Sequence, residues 1–115
     1  MEKFLLIMRE DLKKIGQCTD EERFANIPIM EKWIASITAS GNYVEGHPLK
    51  ITGRYVSRNT VISDGPFIEA KEGVSGFDVI KAENIEQAVA FAQRCPLVIQ
   101  GLAVIEVRPF FHLPE

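Results

Sequence analysis

Asp64, Glu69, Lys71 and Glu72 stand within one short stretch of the chain, and that density of ionisable groups is where chemistry is first sought. A carboxylate fixed at a turn can take or give a proton, so Asp64 is a candidate general acid or base, or the group that orients the imidazole of His47. Lys71, flanked by Glu69 and Glu72, would bring positive charge to an anionic or enolate-like oxygen. Arg9 and Arg54 are further candidates, each able to hold a carboxylate through two parallel N–H bonds. Every one of these residues also has a plain structural reading. An Asp before Gly65-Pro66 caps neighbouring N–H groups in a turn, and Lys71 between two glutamates reads as a solvated charge ladder. His47 before Pro48 reads as an exposed loop histidine, and arginines are commonly surface residues.

Other chemistries lack their residues. His47 has no second His, Cys or suitably spaced carboxylate to complete a metal site, so no metal is expected. Neither Cys18 nor Cys95 has a histidine nearby in sequence, and no serine sits in a Gly-x-Ser-x-Gly elbow. Gly65, Gly73 and Gly76 follow turns and strand edges, not the strand-to-helix pattern of a phosphate loop, so no nucleotide or other cofactor is expected.

The elements that must position these groups fit one domain, residues 1–115, with 46% hydrophobic and 25% charged residues. Lys3 to Met8 is an apolar run of strand length, and the polar Glu10 to Gln17 suits a loop. Thr19 and Glu22 have the spacing of a capping box. Phe24, Ile27, Met30, Ile34 and Ile37, with Trp33 beside them, then recur at helical spacing and predict an amphipathic helix whose apolar stripe is core. Pro28 either kinks that helix or sits in the first turn of a regular part that begins near Asn26. Ser40-Gly41-Asn42 ends it.

From Tyr43 to Ser63 the composition turns to Val, Ile, Tyr and Thr, with a turn at Ser57 to Thr60, which predicts a hairpin. Gly76 to Ala82 resumes a strand. Asn84 caps a second helix with Gln87 at its third position and Ile85, Ala88, Val89 and Ala92 as its buried stripe; Cys95-Pro96 closes it. Leu102 to Val107 is the last strand. This is an α+β chain in the split βαβ order, ferredoxin-like βαββαβ with an inserted β-hairpin, both helices on one sheet face. A domain this small leaves roughly a third of its potential surface unburied, so a second copy on the open face, a homodimer, is expected.

A net charge of -3 and scattered Lys and Arg argue against a nucleic-acid surface. No apolar run approaches the length of a membrane span, and the short apolar start does not read as a signal peptide, so a cytoplasmic protein without membrane contact is expected. Two distant cysteines there read as free thiols.

The run Asp64-Gly65-Pro66-Phe67-Ile68-Glu69-Ala70-Lys71-Glu72, then Gly76-Phe77, the helix end Arg94-Cys95-Pro96 and Ile105-Glu106-Val107-Arg108-Pro109 together resemble the YCII-related family, in its DGPF-motif branch. The likeness extends over nearly the whole chain, including Lys3 to Met8 and Gly46-His47-Pro48-Leu49. It implies a dimeric ferredoxin-like α/β barrel with a cleft between sheet and helices or near the subunit interface. It implies a family mostly of unknown function, in which a few relatives act on small chlorinated aromatics and others are encoded beside, or fused to, sigma-factor-like regulators. The His and Asp described for the family fall here on His47 and Asp64, since His112 lies in the tail. Arg54-Tyr55 and the aromatic Phe110-Phe111 depart from the pattern and bear on substrate.

Three functions follow from these residues. One is a cofactor-free enzyme, of lyase, isomerase or dehydrochlorinase type, doing acid-base chemistry on a small anionic or aromatic substrate. In it His47 and Asp64 move protons, while Lys71 or Arg54 holds the anion. The others are a small-molecule-binding or regulatory module without turnover, and a structural or protein-interaction dimer.

Overall fold

A computed structural model of the protein describes residues 1–50, 53–62 and 72–112. Strand β1, Glu2–Asp11, alternates buried and half-buried residues, so Phe4, Leu6 and Met8 face one side and Leu5, Ile7 and Arg9 the other. It is longer than the apolar run predicts because Glu10 and Asp11 still pair with Gly73 and Glu72. The predicted loop after it is in fact a short helix, α1, Leu12–Gln17. Asp11 starts it: its carboxylate accepts from the backbone N–H of Lys13 at 2.9 Å and of Lys14 at 3.4 Å.

Helix α2, Asp20–Ala25, opens on the expected cap, the Glu22 N–H donating to the Thr19 hydroxyl at 3.1 Å. The chain re-nucleates at Asn26, and α3 runs Ile27–Ala39 with Pro28 in its first turn, where the missing N–H has no partner to lose. Of the two readings of Pro28, the first-turn one holds. The break at Asn26 also takes Phe24 off the apolar stripe: it is 64% exposed, while Trp33 and Ile37 are buried and Met30 and Ile34 pack at the margin. Gly41, at φ 77°, takes the left-handed conformation that ends α3.

Strand β2, Tyr43–Pro48, precedes a small hairpin of β3, Tyr55–Val56, and β4, Val61–Ile62, closed by Ser57 N–H to Thr60 C=O at 2.8 Å. The long strand β5, Glu72–Ala82, leads to α4, Ile85–Gln93, whose Gln87 N–H donates to Asn84 Oδ1 at 2.9 Å. Ala88, Phe91 and Ala92 are its buried face. Ile85 and Val89, expected inside, instead line an open apolar groove of about 340 Å³ with Gln93, Val98, Ile105 and Val107. Pro96–Ile99 adds a short helix, α5, that the Cys95-Pro96 stop signal hides, and β6, Ala103–Pro109, closes the fold.

The four long strands form one antiparallel sheet in the order β2-β5-β1-β6, the ferredoxin-like arrangement, with β3 and β4 a separate pair. Its core-facing side carries Phe4, Leu6, Met8, Ile80, Ala82 and Ala103 against Trp33 and Ile37 of α3, Phe91 of α4 and Leu97 of α5. Trp33 ties the helical layer together by donating from Nε1 to the Phe91 carbonyl at 3.0 Å. Cys95 is buried in this layer and Cys18 is half-buried; both are free. Leu5, Ile7, Phe77 and Val79 share the opposite side, which no helix covers among the described residues.

Candidate functional site

β2 is the edge strand that carries His47, and its register decides where the imidazole points. Tyr43 pairs with Ile80, but Glu45 pairs with Val79, Gly46 with Asp78 and His47 with Phe77. One extra residue, Val44, is therefore bulged out. Since paired residues share a face, Tyr43 and Gly46 lie on the helix-covered side, and His47 lies with Phe77 on the uncovered one. The ring centroids of His47 and Phe77 are 5.7 Å apart at an interplanar angle of 53°. His47 Nε2 is 3.4 Å from Glu45 Oε2, and 61% of the side chain remains exposed. The result is an imidazole resting on an apolar ring and open to whatever approaches.

Directly behind it, on the covered side, Asp78 is buried at 9% exposure. Tyr43 donates its phenolic proton to Asp78 Oδ1 at 2.8 Å. Burial pushes the Asp78 carboxyl above its ordinary pKa; the Tyr43 hydrogen bond and the charge of His47 offset part of that. Burial, the Asp78 hydrogen bond and the negative charges of Asp78 and Glu45 push the Tyr43 phenol far up, so it stays a donor throughout the working pH range. Gly46 makes room for the pair, because a Cβ at that position would collide with the Asp78 carboxyl and the Tyr43 hydroxyl. Neither Tyr43 nor Asp78 was singled out from the sequence. Asp78 is embedded in the apolar strand pattern of Gly76 to Ala82, and only its position as a lone carboxylate in that run could have drawn notice.

The remaining candidates are dispersed. Arg9 shares the uncovered face with His47 but stands toward the other edge, its Nη2 3.1 Å from Glu106 Oε1; Arg108 holds the second oxygen at 3.0 Å. Hydrogen bonds from Arg108 and Arg9 lower the Glu106 carboxyl pKa. Arg54 donates to the Gly53 carbonyl at 3.0 Å beside the small hairpin. His112 is exposed in the tail. Glu72 opens β5. Asp64, Glu69 and Lys71 lie outside the described residues, in the stretch of chain that leads directly into β5. Ser75, one residue before Gly76, keeps its hydroxyl buried with no partner among the described residues. No group of three or more His, Cys, Asp or Glu side chains could hold a metal ion among the described residues. No helix among them is long and apolar enough to cross a membrane.

This is a mixed sheet-and-helix domain with a histidine displayed on its bare sheet face. The YCII-related domain matches residues 3–111, so the chain belongs to the YCII-related family. A stretch of 58 residues, 50% of this chain and 47% of the other, is 34% identical to an uncharacterised protein of Rhizobium meliloti (strain 1021). That match thus spans about half of either protein. Among solved structures, the fold is similar to that of 5-chloro-2-hydroxyhydroquinone dehydrochlorinase from Burkholderia phenoliruptrix AC1100, in complex with 2,5-dihydroxybenzoquinone. The TM-score is 0.60 with 17% identity, over 96% of this chain and 94% of that one, a likeness of fold.

Proposed function

We propose that this YCII-related protein, of the DGPF-motif branch, is a cofactor-free enzyme that moves protons on a small anionic or aromatic substrate, in the manner of a dehydrochlorinase, lyase or isomerase. The observation that carries the reading is the placement of His47: an accessible imidazole packed against Phe77 on the sheet face that no described helix covers. An apolar ring beneath a proton carrier suits a flat substrate, which can lie on Phe77 while His47 takes or returns a proton. Asp64 is assigned to orient the imidazole, with Lys71, Arg54, Arg9, Glu69 and Glu72 as substrate-binding groups. The bare face that carries Leu5, Ile7, Phe77 and Val79 is assigned to a second copy, which would exclude water from His47 in a homodimer. Support for the substrate class comes from the fold neighbour, which acts on a chlorinated hydroxyhydroquinone and was solved with a dihydroxybenzoquinone.

The test is a titration of the native protein with 2,5-dihydroxybenzoquinone while the ring resonances of His47 are followed by NMR. A saturable shift of those resonances is expected. No shift at large excess contradicts the substrate class. Chloride release from 5-chloro-2-hydroxyhydroquinone then separates turnover from the alternative, a binding or regulatory module associated with sigma-factor-like regulators, which would bind without releasing chloride.

A further inference from the structure

The face on which His47 lies depends on a single bulged residue of β2. Before the bulge, Asn42 fixes the start of β2. Its side-chain amide donates to the Lys81 carbonyl at 2.7 Å, and the Lys81 N–H donates to the Asn42 carbonyl at 2.7 Å. That register continues through Tyr43 opposite Ile80. Carried on without the bulge, it would set Gly46 opposite Phe77 and His47 opposite Gly76. Gly76 pairs with Met8, which faces the core, so His47 would then point into the helix-covered side. A slip of one residue would remove the imidazole from the bare face altogether.

We propose that Tyr43 and Asp78, meeting over Gly46, are a clamp that locks the β2 bulge and thereby positions His47 on the bare face. The phenol starts from Tyr43, just before the bulge, and ends on the carboxyl opposite Gly46, two residues past Val44, so one hydrogen bond of 2.8 Å spans the irregularity. Only the bulged register brings Asp78 opposite Gly46, where the absent side chain admits both groups. The slipped register would place Glu45 opposite Asp78, two carboxylates on adjacent strands, a pairing that like charge disfavours. Tyr43 is the group that faces Asp78 on the covered side; the charge of His47 reaches it from the opposite face, Glu45 acts on Tyr43, and Asp78 and Glu10 both act on Cys95 in the same part of the core. Tyr43, Asp78 and Gly46 are positioning residues. They act on the chemistry only through His47, and the catalytic part of the inference rests on the reading that His47 carries the proton.

The experiment compares the nuclear Overhauser contact between the His47 and Phe77 rings, and the cross-strand backbone contacts of the same two residues, in the native protein and four variants. Tyr43→Phe and Asp78→Ala are expected to lose the ring contact. Asp78→Asn, whose amide oxygen still accepts from Tyr43, is expected to keep it. Trp33→Phe, which removes a different buried hydrogen bond, is expected to keep it as well, separating a clamp from general destabilisation. If Tyr43→Phe or Asp78→Ala does not fold, Gly46→Ser displaces the clamp from the opposite strand and should also lose the contact. Full ring and backbone contacts in a folded Tyr43→Phe, Asp78→Ala or Gly46→Ser protein would overturn the proposal. A native protein that shows the ring contact and its loss in the variants, yet binds no dihydroxybenzoquinone, would leave the clamp standing and overturn the catalytic reading alone.

Discussion

Asp78 is a buried carboxyl whose pKa burial raises, and its protonation is therefore tied to folding. Its pKa is raised in the folded chain, so the folded state binds a proton more tightly than the unfolded one. The sign of that linkage is negative for pH: the contribution of Asp78 to stability is full below its unfolded pKa and is lost as pH rises through its folded one. Asp78→Asn cannot ionise and retains the acceptor for Tyr43. Its melting temperature relative to the native protein is therefore expected to rise between mildly acidic and neutral pH. A difference that stays constant with pH would mean the carboxyl is not held in its neutral form by the fold. Tyr43→Phe leaves the carboxyl without its donor and should cost about 1–3 kcal/mol in a denaturant titration. Gly46→Ala forces a methyl group against both partners and should cost a similar amount, about 1–3 kcal/mol. At this scale the sequence disclosed His47 as an isolated histidine before a proline, but not its surroundings. The face it occupies is set by a one-residue bulge in the pairing of β2 with β5, and no local pattern in Tyr43 to Pro48 records that Val44 is the residue left out.

The elements were readable wherever one local interaction dominates. Thr19 with Glu22 and Asn84 with Gln87 are short-range caps, and both form as spaced. Asn84→Ala should lower stability by about 1 kcal/mol, because the N–H of Gln87 loses its acceptor at a helix end. The α3 stripe was legible from Met30 to Ile37 because packing there repeats at helical period. Ile37 is wholly buried, and Ile37→Ala should cost about 2–5 kcal/mol by leaving a cavity between α3 and the sheet. What escaped the pattern were features set by competition between elements. The polar run after β1 is helical because Asp11 caps it, and α5 follows a proline that also suits a first helical turn. Phe24 is outside because the chain re-nucleates at Asn26 instead of continuing one helix.

For the whole molecule, the topology followed from the order of strand and helix patterns, since a split βαβ chain has few ways to lay its helices on one face. The bare face then poses the question of what covers it. Leu5, Ile7 and Phe77 are half-buried and Val79 is buried, with Arg9, Glu106 and Arg108 toward one edge and Glu45 and His47 on the other. A second copy turned about a two-fold axis would cover the apolar centre, so light scattering is expected to give twice 12.9 kDa. Ile7→Asp, with a charge in the middle of that face, should shift the protein to the monomer. A native protein that is already monomeric at high concentration would require His47 to work on an open surface.

The proposed proton-moving pair of His47 and Asp64 is tested most directly by the pKa of the His47 imidazole in native protein and in Asp64→Asn. NMR titration is expected to give a lower His47 pKa in the variant, because the neutral amide no longer favours the imidazolium. Glu45→Gln serves as the control for the carboxylate already 3.4 Å from Nε2. An imidazole whose pKa is the same with and without the Asp64 carboxylate would contradict the pair.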